Sequence, residues 1–310
     1  MIAVAGESLM DVLPGEQGRL IPVPGGAPFN VARIVARLGI GCTFLTRMSE
    51  DNLGGRLRDA LRDAGVLLPI EEPVTAPTTL AMAELDADGS ADYRFYGEGT
   101  AAAEMRPQDI PAGFLDGVRA LALGGLGLVL EPLRSTLLGL LTEMPRGPLV
   151  VLDPNCRPRA IRDFTAYRAT IASCLPRVDV LKVSRHDLEF LAPREEPIAY
   201  CKRLLTNGPD VILITDGPHP TTLITANGRR SIPVPEVELI DTIGAGDALV
   251  AGLLAWFAQH PEVDPSSAEL DVLEIAVQAA GRVARAVCTT RGANLPDDFS
   301  WRADEQASVL

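Results

Sequence analysis

The chain has 310 residues, 47% of them hydrophobic but only 5% aromatic, and a formal net charge of −13. That length suits one large α/β domain or two ordinary ones over a mostly aliphatic core. The acidic balance excludes a basic nucleic-acid or anionic-membrane surface, but not a phosphate ligand, which backbone N–H groups hold without Lys or Arg.

Cys42, Cys156, Cys174, Cys201 and Cys288 are odd in number and scattered, with no Cys-x-x-Cys. They predict reduced, mostly buried thiols. His186, His219 and His260 show no zinc spacing. The opening "MIAVAGESLMDVLPGE" has no basic leader region. The longest apolar runs, such as "ALVAGLLAWFA", reach only about eleven residues, too short to span a bilayer. The expectation is a soluble, cytoplasmic protein.

In chain order, Ile2–Ala5 is an apolar run that stops at Gly6. "DVLPGEQGRLIPV" follows and reads as antiparallel strands joined by a turn. Ala27–Leu38 is predicted helical, with Val31, Ile34, Val35 and Leu38 on one face and Gly39 as the stop. Cys42–Leu45 reads as a strand. "DNLGGRLRDALRDAG" reads as a helix with Leu53, Leu57 and Leu61 on one face and Gly65 as its C-terminal cap. "TTLAMAELDADGSADYRFYGEG" again suggests antiparallel strands, with Asp88-Gly89 as the turn.

"VRALALGG", "PLVVLDPN", "VDVLKVS" and "DVILITDG" are unbroken apolar runs separated by helix-like stretches. That alternation predicts a mostly parallel sheet covered on both faces, with the ligand at the C-terminal ends of the strands. Attention therefore falls on Asp153-Pro154-Asn155, Lys182-Val183-Ser184 and Thr215-Asp216-Gly217. "GPHP" and "SIPVPEV" are expected to be loops or edge strands.

Three elements can carry chemistry. In "DTIGAGDALVAGLLAWFAQH", Gly244, Ala245 and Gly246 precede an apolar helix and Asp247 falls in its first turn. Glycines there leave convergent N–H groups, an anion hole without a side-chain cation, and Asp247 beside it could take a proton from a hydroxyl. The same pattern could be a plain turn with a cap. In "PGGAPFNVARIVARLG", Gly25 and Gly26 lead into a helix start and Asn30 could meet polyol hydroxyls or simply cap. Asp11, in "GESLMDV", could accept from two sugar hydroxyls or lie on the surface. Gly124, Gly125 and Gly127 lack the spacing of a nucleotide fingerprint, and no P-loop occurs.

The two glycine motifs, in this order and about two hundred residues apart, resemble the signatures of the ribokinase-like (PfkB-type) carbohydrate kinase family. "GESLMDVLP", "DPNCRP", "KVSRHDLEFL" and "CTTRGANLP" resemble its fructokinase-type branch. The resemblance implies one three-layer α/β/α domain over residues 1–310, with lid segments inserted at about 10–23 and 74–98. It implies ATP-dependent phosphorylation of a sugar hydroxyl, with Asp247 as base and the Gly244–Gly246 backbone as anion hole. Asp11, Gly25, Gly26, Asn30 and Asn155 would hold the sugar. Arg157, Lys182, Ser184, Thr215, Gly217, Thr242, Gly244, Gly246 and Gly292 would border the nucleotide. Mg²⁺ would accompany ATP, with Asp187 of Ser184-Arg185-His186-Asp187 standing where relatives carry Glu. A monovalent cation and a homodimer through the lid belong to the same picture. The usual Gly-x-x-Gly becomes Gly217-Pro218-His219-Pro220, and Gly97 stands where relatives often carry Arg, which favours a neutral sugar such as fructose. A ribose, 2-keto-3-deoxygluconate or nucleoside kinase is the alternative within the fold. A non-catalytic sugar- or nucleotide-binding protein is the alternative outside enzymes. Asp247 is taken to have an ordinary aspartate pKa near ~4. Asp241 is expected to brace its loop or the magnesium waters.

Overall fold

The computed structural model describes residues 1–85 and 91–301; the Asp88-Gly89 turn signal lies outside them. The main sheet is built from β1 (Ile2–Ala5), β4 (Cys42–Leu45), β7 (Ala120–Gly124), β8 (Leu149–Asp153), β9 (Val180–Ser184), β10 (Val211–Asp216), β11 (His219–Thr225) and β12 (Gly228–Ile232). Its order is β12-β11-β10-β9-β8-β7-β1-β4. The strands from β10 to β4 pair in parallel, and β11 and β12 add an antiparallel edge. That edge hairpin departs from the reading of "GPHP" as a loop or edge strand. β11 lies inside the sheet, turned by Gly217 at φ +55°, and is followed by Ala226-Asn227 and β12. Asn227-Gly228 was the available hairpin signal.

Two helical layers follow from the period-2 alternation of the strands. Ile2 and Val4 face one core, shared with α1 (Ala27–Arg37), α2 (Asn52–Asp63), α7 (Ala245–Gln259) and α8 (Leu270–Cys288). Ala3 and Ala5 face the other, shared with α3 (Leu133–Glu143), α4 (Phe164–Cys174), α5 (Arg185–Leu191) and α6 (Pro197–Leu205). Every residue of α7 from Asp247 to Phe257 is buried, so this helix is fixed from all sides. Each buried Leu or Val in it contributes about 1.5–3 kcal/mol. Its N-terminus is therefore a rigid place to mount a site. The five cysteines are free thiols, four of them buried. Among the described residues no helix is long and apolar enough to cross a membrane.

A second sheet of order β3-β2-β5-β6 stands apart from the first: β2 (Leu9–Pro14), β3 (Leu20–Gly25), β5 (Thr79–Leu85) and β6 (Ala91–Tyr96). Each sequence segment makes its own antiparallel pair, and β2 joins β5 in parallel. Leu9, Ala81 and Leu126 form a small core with Tyr93 and Phe95. This sheet thereby overhangs the C-terminal ends of β1, β7 and β8.

Candidate active site

Gly244 is the N-cap of α7 at φ +80°, a left-handed conformation. A Cβ there would also overlap Ala293, so only glycine turns the chain at this point. The N–H groups of Gly246 and Asp247, which follow, have no acceptor among the described residues. They point out of a helix end carrying partial positive charge, the physical requirement for an anion site.

Asp247 is buried and accepts a hydrogen bond from Asn30 Nδ2 at 2.8 Å on Oδ2. Asn155 Nδ2 lies 3.4 Å from Oδ1, which leaves Oδ1 the freer oxygen. Burial pushes the Asp247 pKa up to about 6, with Asp153 adding to it, while the Asn30 bond, Lys182 and Arg157 oppose it. The ordinary aspartate value expected from sequence is thus corrected, because the whole of α7 around Asp247 is withdrawn from water.

Asn30 is held by its own helix through Asn30 N–H to Gly26 O at 2.9 Å. Its Oδ1 is buried without a partner. A buried amide oxygen left open is costly unless a ligand fills it. Gly26, at φ +107°, caps α1, and Gly25 leaves room for the Asp11 carboxylate, which a Cβ would overlap. Burial pushes Asp11 up to about 6; the Arg157 charge pulls it down and Asp247 pushes it further up.

The expectation of an anion hole without a side-chain cation is also corrected. Lys182, on β9, is buried, donates to Asp153 Oδ2 at 2.8 Å, and lies so near Gly246 that a Cβ there would come within 2.9 Å of Nζ. Burial opposes this ammonium, but the carboxylates of Asp153, Asp187 and Asp247 outweigh it and hold its pKa above the ordinary lysine value. The cation was invisible in the glycine motif because it comes from a strand about sixty residues earlier.

Asp187 closes a capping box at the start of α5, with Ser184 Oγ accepting from Asp187 N–H. Its Oδ2 accepts from Ser184 N and Oγ at 2.7 and 2.6 Å, and Oδ1 from Cys156 N at 2.7 Å. Burial pushes its pKa up, yet Lys182 and these bonds prevail and hold it below the usual carboxylate range. Asp187 thus clamps the 154–157 loop to α5. Within that loop Asn155 takes φ +42° and donates its N–H to Asp153 Oδ1 at 3.0 Å, a conformation Asn tolerates better than most residues. Asp241 accepts from Ile243 N at 3.0 Å and Gly292 N at 2.8 Å, so it braces its loop against the 292 turn.

These groups surround a cleft of about 590 Å³. It gathers Asp11, Gly26, Asn30, Asn155, Arg157, Lys182, Ser184, Asp187, Thr215, Thr242, Gly244, Gly246 and Asp247 from the expected set. Gly25, Ala245, Gly217 and Gly292 stand behind or beside the lining. The guanidinium of exposed Arg157 makes no hydrogen bond or ion pair among the described residues, and its charge is felt by Asp11 and Asp247. Sequence reasoning missed Glu7, Tyr93, Phe95, Gly125 and Leu126, which also line the cleft. Tyr93 and Phe95 alternate along β6 and stack at 6.4 Å, a period-2 aromatic signal that was present in "DYRFY". A larger cleft of about 930 Å³ opens at the opposite edge of the sheet, around Met1, Gly41 and Pro261. It lies at the N-terminal ends of the strands, away from the network described above, and in open parallel sheets the chemistry sits at the other end.

Comparison with known proteins points the same way. A family model described as "pfkB family carbohydrate kinase" matches residues 2–299. A fructokinase from Rhizobium leguminosarum bv. trifolii is 34% identical over 260 residues, 82% of this chain and 79% of its own length. The crystal structure of a fructokinase with bound ATP from Xylella fastidiosa superposes with a TM-score of 0.86 at 26% identity, over 94% of this chain and 93% of the other. An aminoimidazole riboside kinase from Salmonella enterica, complexed with aminoimidazole riboside and an ATP analogue, superposes with a TM-score of 0.80 at 26% identity, covering 94% of each chain.

Proposed function

The chain belongs to the pfkB family of carbohydrate kinases, and we propose that it transfers the γ-phosphoryl group of ATP to a hydroxyl of a neutral sugar, fructose first among the acceptors. One observation carries this reading: the Asn30–Asp247 pair at the N-terminus of α7, with Asp247 Oδ1 the freer carboxylate oxygen and the helix N–H groups beside it. The attacking sugar hydroxyl donates its one proton toward Asp247 Oδ1, while Asn30 Nδ2 holds the other carboxylate oxygen. The hydroxyl oxygen attacks the γ-phosphorus as the bond to the β-bridging oxygen breaks, ADP leaves with that electron pair, and the proton passes to Asp247 Oδ1. Such a transition state is loose, so the protein mainly positions the reactants and meets charge. The Gly246 and Asp247 N–H groups, Lys182 and Arg157 meet it from the phosphoryl side. Asp11 and Asn155 orient the sugar, and Tyr93 and Phe95 offer it a flat apolar wall. Ser184, Thr215 and Thr242 border the nucleotide, and the second sheet acts as the lid that keeps water from the γ-phosphate.

A neutral acceptor is favoured because Arg94, the lid's nearby cation, is bound to Glu84 at 2.9 Å and exposed, on the strand face opposite Tyr93 and Phe95. Among the described residues no cluster of three His, Cys, Asp or Glu side chains could cage a metal. A Mg²⁺ ion would be held mainly by the nucleotide phosphates and water and would neutralise phosphate charge, with Asp187, whose oxygens already accept from Ser184 and Cys156, the carboxylate that would face its water shell. A homodimer would pair the free edges of the lid, which light scattering would detect.

The deciding experiment is ADP release from ATP·Mg²⁺ with fructose, ribose, 2-keto-3-deoxygluconate and a riboside as separate acceptors. Fructose should give the highest kcat/KM. A preference for the riboside would move the assignment to the second structural relative's class, and no acceptor-dependent ADP release from any of them would sink the kinase reading. The pH profile has a fixed sign. Asp247 must be ionised to take the proton, and its pKa is raised to about 6. Activity is therefore full above that value and falls as pH drops through it, whereas a base of ordinary pKa would hold its activity down to about pH 4. Initial rates from pH 4.5 to 8 under saturating ATP check this.

A further inference from the structure

The glycines of "LGGLGLV" remain unexplained by the phosphoryl-transfer reading, on which the following inference rests. They form a tight turn at the end of β7, a short 3-10 segment over Gly125–Leu128. Its N–H groups do converge on an anion, but the anion is internal. Glu7, just beyond β1, is only 2% exposed, and its Oε2 accepts from Gly127 N–H at 2.9 Å. The backbone N–H groups of Leu126 and of Glu7 itself also favour the charged carboxylate. Gly125 sits at φ +60°, and a Cβ on it would come within 2.5 Å of Glu7 Oε1. The absent side chain at 125 is thus the space the carboxylate fills.

This turn has a second face. Gly125 and Leu126 line the cleft beside Glu7, Leu9 and Asp11. Leu126, 2% exposed, packs with Leu9 and Ala81 beneath Tyr93 and Phe95 of the overhanging sheet. Burial pushes Glu7 up to about 7, with its backbone hydrogen bonds and the Arg157 charge pulling it down. A carboxylate kept in so costly a place, with backbone donors aimed at it, fixes the geometry of what it holds.

We propose that Glu7 is a positioning residue of the sugar site: its carboxylate anchors the Gly125–Leu128 turn, and through Leu126 that turn sets the height of the floor on which the acceptor and the Tyr93–Phe95 wall meet. Glu7 touches no reacting atom in this scheme. Its effect belongs to acceptor binding and leaves the nucleotide side, across β8 and β9, untouched.

The test is Glu7→Gln in the full chain, with two readouts. Hydrogen–deuterium exchange should quicken at 125–128 and not in β8 or β9, since the amide keeps the size but turns a donor toward backbone N–H groups. In kinetics with fructose and ATP, the fructose KM should rise about tenfold, as expected for one charge-assisted hydrogen bond, while the ATP KM stays within about twofold. Gly125→Ala, which crowds Glu7 Oε1 from the other side, should reproduce both changes and stands in if Glu7→Gln fails to fold. Unchanged exchange at 125–128 overturns the anchor. Fructose and ATP KM values that rise together, or a melting temperature that falls with neither KM changed, overturn the positioning role. The exchange readout needs no substrate, so it stays decisive even if the acceptor panel rejects a sugar kinase.

Discussion

Asp247→Asn should lower kcat by about 10²- to 10⁴-fold, the range of a positioned general base, with the fold intact. The substitution keeps an oxygen to accept from Asn30 Nδ2, now bonded at 2.8 Å, and it removes a charge from a site where burial already raises the pKa to about 6. The melting temperature should accordingly stay level or rise. What is lost is the acceptor for the hydroxyl proton. The fructose KM should change little, because Asn30, Asp11 and Asn155 still hold the sugar. Steady-state kinetics and a thermal melt on the same preparation separate these effects. A variant that keeps a tenth of the wild-type kcat would rule out proton transfer to Asp247.

Lys182→Met should be the most damaging single change to stability, by about 3–5 kcal/mol, because it leaves a buried carboxylate without its partner. Lys182 and Asp153 are both nearly dry, and their bond is 2.8 Å long. Asp187 and Asp247 also rely on that ammonium to offset their burial. Replacing both members, Lys182→Met with Asp153→Asn, should recover much of the loss, giving a coupling of about 2 kcal/mol in a double-mutant cycle from denaturant unfolding. The double variant should still be impaired in catalysis, since the positive charge next to Gly246 is gone, while the acid limb of the pH profile should not move to higher pH, because Asp153, which raises the Asp247 pKa, is lost together with Lys182, which lowers it. A single variant within about 0.5 kcal/mol of wild type would show that the pair is not an essential element of the core.

Much of the main sheet was legible in the sequence. The strands predicted by "PLVVLDPN" and "VDVLKVS" are β8 and β9, and Cys42–Leu45 is β4 with those bounds. Continuous apolar runs between helices have few alternatives to a parallel sheet. The predicted helix Ala27–Leu38 ends one residue early at Arg37, with Leu38 as its cap. The β11–β12 hairpin was missed because His219-Pro220 and the charged Arg229-Arg230 hide a strand pattern that only pairing with β10 makes worthwhile.

The site divides along the same line. Gly244, Gly246 and Asp247 could be named from the sequence because a sharp left-handed turn before a buried helix is a local requirement, and few residue types satisfy it. Asn30 could be named as a polar residue in a first helical turn. Neither motif shows that Asn30 and Asp247, 217 residues apart, share a hydrogen bond, or that Lys182 lies against Gly246. Those are facts of how β9, α1 and α7 meet at one edge of the sheet. The raised Asp247 pKa has the same origin. Sequence fixes which groups can ionise, whereas the energy of ionising them depends on how much water and which charges the packed chain leaves around them.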